Sequence, residues 1–540
     1  MYLYKIIAQN VPQRSIARDE RRALTIHIPT SEMAPFCKTG GLGEMTEGLV
    51  NALGRAGHTV KVYLPNHSEM LDNQLGRITS PNCIPSMLDH TPPPIFSKSF
   101  PSKIQRFNNL QNPASSLYDK LANINFTVID SLERDFFNNR RPGNLYGYDD
   151  NHVRYGYFNA VVASLIEPRK NSIIHAQDWE TGHVSTLMRT RFAYKKIPLL
   201  YTIHNLPYTF ATNRHNFYQM TGLTEEAYPG LYGISGVNRP NTDEADPSWS
   251  AINHSDFVNT VSKQYVKDTL SEAQGEGFQG LLQKRYEEGT YSGIPNGVDF
   301  SWYPPFNAKN FITEKPVYKS ELQRKFGLQQ DPEALLIMMA VRFDNQKGYD
   351  LVIPTLKRLA TEKINFQFVV TAQGDPRIHN ALTSLANDPE LQSRIGIVSP
   401  YDKELTLLAY RGADVSLSPS KIEPCGLVAP TSMMNGTIPI VRKVGGHIDT
   451  VKHGENGFLF EGDWYRAEKD SNYQKLVNGL HSNIMNVFNL RKEIPKYHDF
   501  IANMMKQDLS WDARAKEYIE LYYHMLDSFK INGHYKTYKG

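Results

Sequence analysis

The stretch Ser418-Pro-Ser-Lys-Ile-Glu-Pro-Cys-Gly-Leu427 places one carboxylate, Glu423, between a tight loop and a segment with helical apolar spacing at 427–434. Helix N-termini attract anions, so a carboxylate there either caps the helix or waits for the hydroxyls of a ligand. Two other loops carry cations. In Val341-Arg-Phe-Asp-Asn-Gln-Lys-Gly348, Arg342 and Lys347 bracket a turn and repel each other unless an anion binds between them; the alternative is a solvated loop. In Lys38-Thr-Gly-Gly-Leu-Gly43, glycines let backbone N–H groups approach phosphate oxygens and the lysine adds a point charge. That stretch has neither the Walker order nor the G-x-G-x-x-G spacing, so a plain strand-to-helix turn is its other reading. His175, Asp178, His204 and Ser262 end short apolar runs, and so do Ala372-Gln-Gly-Asp-Pro376 and Tyr401-Asp-Lys-Glu404. A tyrosine there stacks on a base or is an ordinary loop residue. No H-x-x-x-H, C-x-x-C or D-x-D is present, which predicts no bound metal, and a Ser/His/Asp triad lacks its G-x-S-x-G elbow.

The elements that must hold these groups follow from the apolar periodicity. Strands are expected at 23–29, 59–64, 172–175, 198–205 and 257–262, with a helix through Leu49, Leu53 and Ala56 that stops at Gly57. A second series has strands at 334–341, 366–371, near Ile395, at 414–417 and at 437–441, with a helix over 348–361. Strand–helix–strand units imply parallel sheets, and ligands of such sheets sit outside the carboxyl ends of the strands. His175, Asp178, His204 and Ser262 are thereby expected on one sheet edge. Residues 1–22 read as a polar N-terminal extension, 23–298 as a first α/β domain and 305–505 as a second, with a helix-bearing segment 506–540 crossing back to the first. The Pro-, Ser- and Asn-rich stretch 79–116 reads as a surface excursion.

Bulk composition narrows the function. A net charge of +3 with 40% hydrophobic and 21% charged residues gives no reason to expect nucleic acid or a membrane surface as partner. The longest apolar run, near 335–341, falls far short of the ~20 residues of a membrane helix. Residues 1–10 lack a secretory pattern, and Cys37, Cys83 and Cys425 have no metal-ligand spacing and leave one unpaired in any disulfide scheme. A reducing compartment fits, the cytoplasm, with delivery into a host cell as the alternative.

Taken in order, these pieces resemble the bacterial glycogen synthase and plant starch synthase family of retaining glucosyltransferases, over about residues 23–525. Lys38-Thr-Gly-Gly-Leu matches the family's K-x-G-G-L, with Ser31-Glu-Met33 ahead of it. His175-Ala-Gln-Asp-Trp matches H-A-H-D-W, Thr202-Ile-His-Asn-Leu matches T-x-H-N-L, and Asn296-Gly-Val-Asp matches N-G-x-D. Arg342 with Lys347-Gly matches R-L-x-x-Q-K-G, Gly374-Asp-Pro matches G-D-P, and Glu423-Pro-Cys-Gly-Leu matches E-P-C-G-L. The resemblance implies an α/β fold of two facing Rossmann-like domains, the GT-B arrangement, with the active site in the interdomain cleft. It implies a transferase that extends an α-1,4-glucan from ADP-glucose or UDP-glucose, with no metal and no cofactor. Arg342 and Lys347 would neutralise the leaving diphosphate and Glu423 would bind donor-sugar hydroxyls, with His204 and Asp178 beside the sugar. Lys38, Gly40 and Gly41 would approach the distal side of the donor, Tyr146 its sugar, and Tyr401 its base. Asn296, Gly374, Asp375, Cys425, Gly426 and Leu427 complete the implied nucleotide-sugar site.

Departures from the family pattern gather away from the diphosphate cations. Glu44 stands for Asp, Gln177 for the second His of H-A-H-D-W, and His447 for Leu after Gly445-Gly446. The stretch 207–250 lacks the family's pattern, and Val428-Ala-Pro-Thr-Ser432 puts short polar groups where bulkier ones are usual, which implies a roomier acceptor mouth. A protein or other non-glucan acceptor on the same fold is therefore the alternative, and a non-catalytic sugar- or nucleotide-binding protein the third reading.

Overall fold

Apolar runs that can be buried on both faces become the inner strands of two sheets. The computed structural model describes residues 23–34, 36–67, 86–90, 102–108, 123–131, 137, 145–146, 148–210, 212–213, 244–298, 306, 310–464 and 470–532. The extension expected at 1–22 and most of 207–250 lie outside them. Contacts divide the chain into two compact units: Met1–Val261 with Val266–Ile294 and Arg514–Gly540, and Ser262–Tyr265 with Pro295–Ala513.

The first unit holds a nine-stranded sheet built on β1 (Thr25–Pro29), which lies between β2 (Thr59–Pro65) and β6 (Ser172–Gln177). β7 (Leu199–Ile203), β10 (Phe257–Thr260) and β11 (Tyr291–Gly293) continue it on one side, all parallel. On the other side β5 (Ile124–Ser131) is followed by β4 (Ser102–Asn108) and β3 (Ser86–His90), both antiparallel. The stretch 79–116 is thus more than the excursion expected of it, since it supplies the edge strand β3 and its inner neighbour β4. A short ribbon pairs β8 (Thr212–Asn213) with β9 (Glu244–Ala245). The helix Gly41–Arg55 starts directly after the glycine loop and buries Met45, Leu49 and Leu53.

One placement needs correction. His175 sits inside β6, not at its end, and is fully buried. Its Nε2 meets Thr202 Oγ1 at 2.6 Å and its Nδ1 meets the Tyr522 hydroxyl at 2.7 Å. Tyr522 and Tyr518 are the buried face of the helix Trp511–Asn532, whose residues from Arg514 onward belong to the first unit. His175 is therefore a core group that ties this helix to the sheet. Asp178 and His204, in contrast, directly follow β6 and β7, at the carboxyl edge.

The second unit holds a six-stranded parallel sheet, in the order β14 (Ile395–Val398), β13 (Phe366–Thr371), β12 (Leu335–Met339), β15 (Val415–Ser418), β16 (Ile438–Arg442), β17 (Phe458–Phe460). All five residues of β12 are buried. Asp414 fastens β12 to β15: its carboxylate accepts from Leu336 N–H at 2.8 Å and from the Lys319 ammonium at 3.0 Å, while its own N–H donates to Leu336 O. The loops that follow these neighbouring strands carry Lys347 and Glu423. Among the described residues no helix is long and apolar enough to cross a membrane.

Candidate active site

In the second unit, four loops at the carboxyl edge lock together. After β12, Asp344 caps a single turn, Asn345–Lys347, that leads into the helix Tyr349–Thr361. Gly348 joins the two at φ +78°, and a Cβ there would lie 2.2 Å from Pro419 O, so only glycine lets this loop touch the next. Gln346 completes the joint, donating its side-chain N–H to Ile422 O and accepting Lys421 N–H, both at 2.7 Å. Arg442, at the end of β16, donates to Ser420 O at 2.8 Å. Phe343 N–H donates to Gln373 O and Asp375 N–H donates to Phe343 O, which draws in the loop after β13.

This joinery brings Lys347 Nζ within 2.8 Å of Glu423 Oε2, across 76 residues of sequence. Ser420 Oγ donates to the same oxygen at 2.9 Å. Burial pushes the Glu423 carboxyl upward, but the Lys347 ammonium, His447 and the two hydrogen bonds outweigh it and hold the group below its usual value. Glu423 is therefore an anion neutralised by a fixed cation. Arg342 is exposed and makes no ion pair with the described residues; Lys347 has turned to Glu423 instead of converging with it. Tyr401 is 38% exposed. Asp375 is occupied as the cap of the helix Pro376–Ala386 and by the Arg377 guanidinium, so the structure gives it and Gly374 an architectural task. Cys425 and Gly426, at φ +80°, shape the turn, and Leu427 leads into the helix Val428–Met434. Asn296 keeps a buried Oδ1 with no hydrogen-bond partner.

Pro430 occupies the first turn of that helix, where no N–H is needed. Thr431 and Ser432, however, are buried, and Ser432 Oγ donates to Val428 O within its own helix. Their short side chains are thus packed inside the second unit and not displayed on its surface. The imidazole of His447 is fully buried beneath the Glu423 loop, its Nδ1 3.1 Å from Arg442 O and its Nε2 without a partner.

In the first unit, Glu32 organises the glycine loop. Its Oε2 accepts Thr39 N–H at 2.7 Å and Gly40 N–H at 3.0 Å, and its Oε1 accepts the Tyr146 hydroxyl. Gly40 N–H is therefore spent inside the protein, which corrects its reading as a phosphate donor; the space around Gly40 and Gly41 stays open. Lys38 forms an ion pair with Glu44, the residue that replaces the family's Asp. Asp178 has φ +59°, a strained conformation for a residue with a Cβ, and its Oδ1 accepts Trp179 N–H at 3.0 Å. Burial, and then the charge of Glu32, push the Asp178 carboxyl upward; burial and Asp178 do the same to Glu180. His204 meets Gln177 Oε1 through Nε2 at 2.9 Å.

Neither Glu32, within Ser31-Glu-Met33, as the anchor of the loop nor Ser420 as the partner of Glu423 is legible in the sequence. Neither type signals its role without the fold, because each acts on a backbone or a carboxylate that the fold delivers.

Buried and half-buried imidazoles make acid sensitivity an expected property. Burial holds His27, His67, His183 and His204 at about 3 and His254 and His447 at about 4, against an ordinary value of 6.5. The unfolded chain then binds more protons at these histidines than the folded one between those values, so their contribution to stability is full above about pH 7 and falls as pH drops from about 6.5 toward 4. Asp178 and Glu180, raised, pull the other way and are outnumbered. Urea midpoints measured at pH 7.5, 6 and 5 should decline in that order; a constant midpoint would contradict the assignment.

Comparison with known proteins accords with this arrangement. A family model described as the starch synthase catalytic domain matches residues 25–284, and one for glycosyl transferases group 1 matches residues 320–471. A glycogen synthase of Elusimicrobium minutum is 30% identical over 92% of this chain and 99% of its own length. One of Clostridioides difficile is 30% identical over 93% and 100%. The structure is similar to the catalytic domain of starch synthase IV from Arabidopsis thaliana bound to ADP and acarbose, with a TM-score of 0.76, 26% identity and coverage of 94% of this chain and 100% of that one. The fold alone is shared with a sucrose-phosphate synthase from Thermosynechococcus elongatus, at TM-score 0.55 and 18% identity over 94% of this chain and 100% of that one. Two α/β units of GT-B type and end-to-end similarity to these synthases make the chain an enzyme that belongs to the glycogen and starch synthase family of glycosyltransferases.

Proposed function

We propose that the enzyme transfers glucose from ADP-glucose or UDP-glucose to the non-reducing end of an α-1,4-glucan, with retention at the anomeric carbon and without a metal ion. The bond from C1 to the diphosphate oxygen breaks and one from C1 to the acceptor oxygen forms, the hydroxyl proton leaving to the diphosphate or to water. Negative charge develops on the diphosphate and positive charge on the sugar ring. The observation that carries the reading is the Lys347–Glu423 pair with Ser420 behind it. It presents a cation for the leaving group and a hydrogen-bonding carboxylate for sugar hydroxyls from one rigid loop assembly, and fixed charges of this kind lower a barrier without reorganising. Arg342, exposed and uncommitted among the described residues, supplies a second cation. In the first unit Lys38, Asp178 and His204 serve the donor and its sugar. The ADP bound to the Arabidopsis synthase supports a nucleoside diphosphate as the leaving product.

The test is release of nucleoside diphosphate from a panel of nucleotide sugars, with and without glycogen and maltooligosaccharides, in EDTA. Turnover is expected to survive chelation and to be greatest with one of the two glucose donors. Activity lost in EDTA and restored by Mn²⁺ or Mg²⁺ would contradict the assignment of the charge-neutralising role to Arg342 and Lys347.

A further inference from the structure

Gln177 is fully buried at the end of β6, where the family pattern has histidine. Its amide can take only one orientation. Nε2 lies 3.3 Å from His175 O, a carbonyl that accepts, so the amide nitrogen must face it; the reverse would set two acceptors against each other. Oε1 is thereby turned to His204 Nε2, 2.9 Å away, and that nitrogen must carry a proton to donate. Burial keeps the His204 ring neutral, pushed down to about 3. A neutral imidazole holds one proton, so Nδ1 is bare, and it makes no hydrogen bond with the described residues. The titratable groups about the ring are His175, from within β6, and Asp178, whose carboxylate accepts the His204 backbone N–H.

We propose that Gln177 is a positioning residue that fixes His204 as its Nε2–H tautomer, so that the ring offers Nδ1 as an acceptor to a hydroxyl of the donor sugar and nothing to an anionic oxygen. This rests on the reading of the substrate as a nucleotide sugar. A histidine at position 177 imposes no such constraint, because either of its nitrogens can donate or accept. The sugar-side preference of this enzyme is therefore set by an amide.

The test begins with ¹⁵N spectra of the full-length protein labelled at histidine, with the His204 signals assigned by their loss in His204→Gln. The expected wild-type pattern is a protonated Nε2 and an unprotonated Nδ1 at every pH from about 5.5 to 8. In Gln177→Leu and Gln177→His, a population protonated at Nδ1 should appear. Kinetics follow with the parent glucose donor and its singly deoxygenated analogues. Gln177→Leu should lower kcat/KM about tenfold for the parent donor and leave it unchanged for the analogue lacking the hydroxyl that Nδ1 accepts. A wild-type Nδ1 that carries the proton, or an equal loss with every deoxy donor, would overturn the proposal. The wild-type spectrum decides the tautomer even if a variant fails to fold. Because it is read without turnover, failure of the tautomer is distinguishable from failure of the nucleotide-sugar reading, which shows as no turnover of any donor by wild type.

Discussion

Lys347→Ala is expected to lower kcat by about 10²–10³ and to raise the donor KM far less, because the lost charge acts on the leaving group and matters most as the bond breaks. The structure adds a second consequence. Lys347 and Glu423 side chains are only 15% and 12% exposed, so removing the ammonium leaves a buried carboxylate without its ion-pair partner, hydrogen-bonded by Ser420. Burial, which pushes Glu423 upward, then goes unopposed by its nearest cation, and the carboxyl moves toward its neutral form. Both partners of the site are damaged by one substitution. Glu423→Ala should cost a similar factor, and the double variant should recover thermal stability relative to either single variant without recovering rate. Folded single variants that keep more than about a tenth of wild-type kcat would show that the pair is structural.

Gly445→Ala is expected to cost about 10² in kcat although no ligand-binding side chain is altered. Gly445 has φ +46°, and a Cβ there would stand 2.0 Å from Glu423 O. The adjacent Gly446 N–H donates to that same carbonyl at 3.0 Å, so the backbone of Glu423 is braced by this turn. A methyl group must push the carboxylate off its Lys347 partner. Gly289→Ala is the control: it has φ +71°, and its Cβ would meet nothing within 4 Å. Both variants should lose stability from backbone strain, but Gly289→Ala should keep its kcat. Equal rate losses in the two would remove the argument from loop placement.

Much of this architecture is readable from residues alone, for a physical reason. β12 is a continuous apolar run, β13 is apolar but for Gln367 and Thr371, and every residue of both is buried. The strands β3 and β4 are hard to read because Ser-Met-Leu-Asp-His and Ser-Lys-Ile-Gln-Arg-Phe-Asn are mixed in polarity and lie among prolines, as suits antiparallel strands near a sheet edge. Within the site, Lys347 and Glu423 were each conspicuous by type, yet their pairing depends on β12 and β15 being neighbours, which no local pattern states. His175 shows the opposite error. A histidine at a strand end and one inside a strand look alike in sequence, and only Thr202 and Tyr522 reveal the core role. Glu32 was hidden for the same reason, since its partners are backbone N–H groups that every residue possesses.

The central claim is that glucose moves from a nucleotide to a glucan with its configuration kept. It is tested most directly by giving the enzyme a glucose donor labelled with ¹³C at C1, together with a maltooligosaccharide, and reading the anomeric signal of the product by NMR. The account predicts a labelled α-linked residue at the non-reducing end, one per nucleoside diphosphate released. A β-linked product, or label recovered only as free glucose while the oligosaccharide stays unchanged, would contradict it.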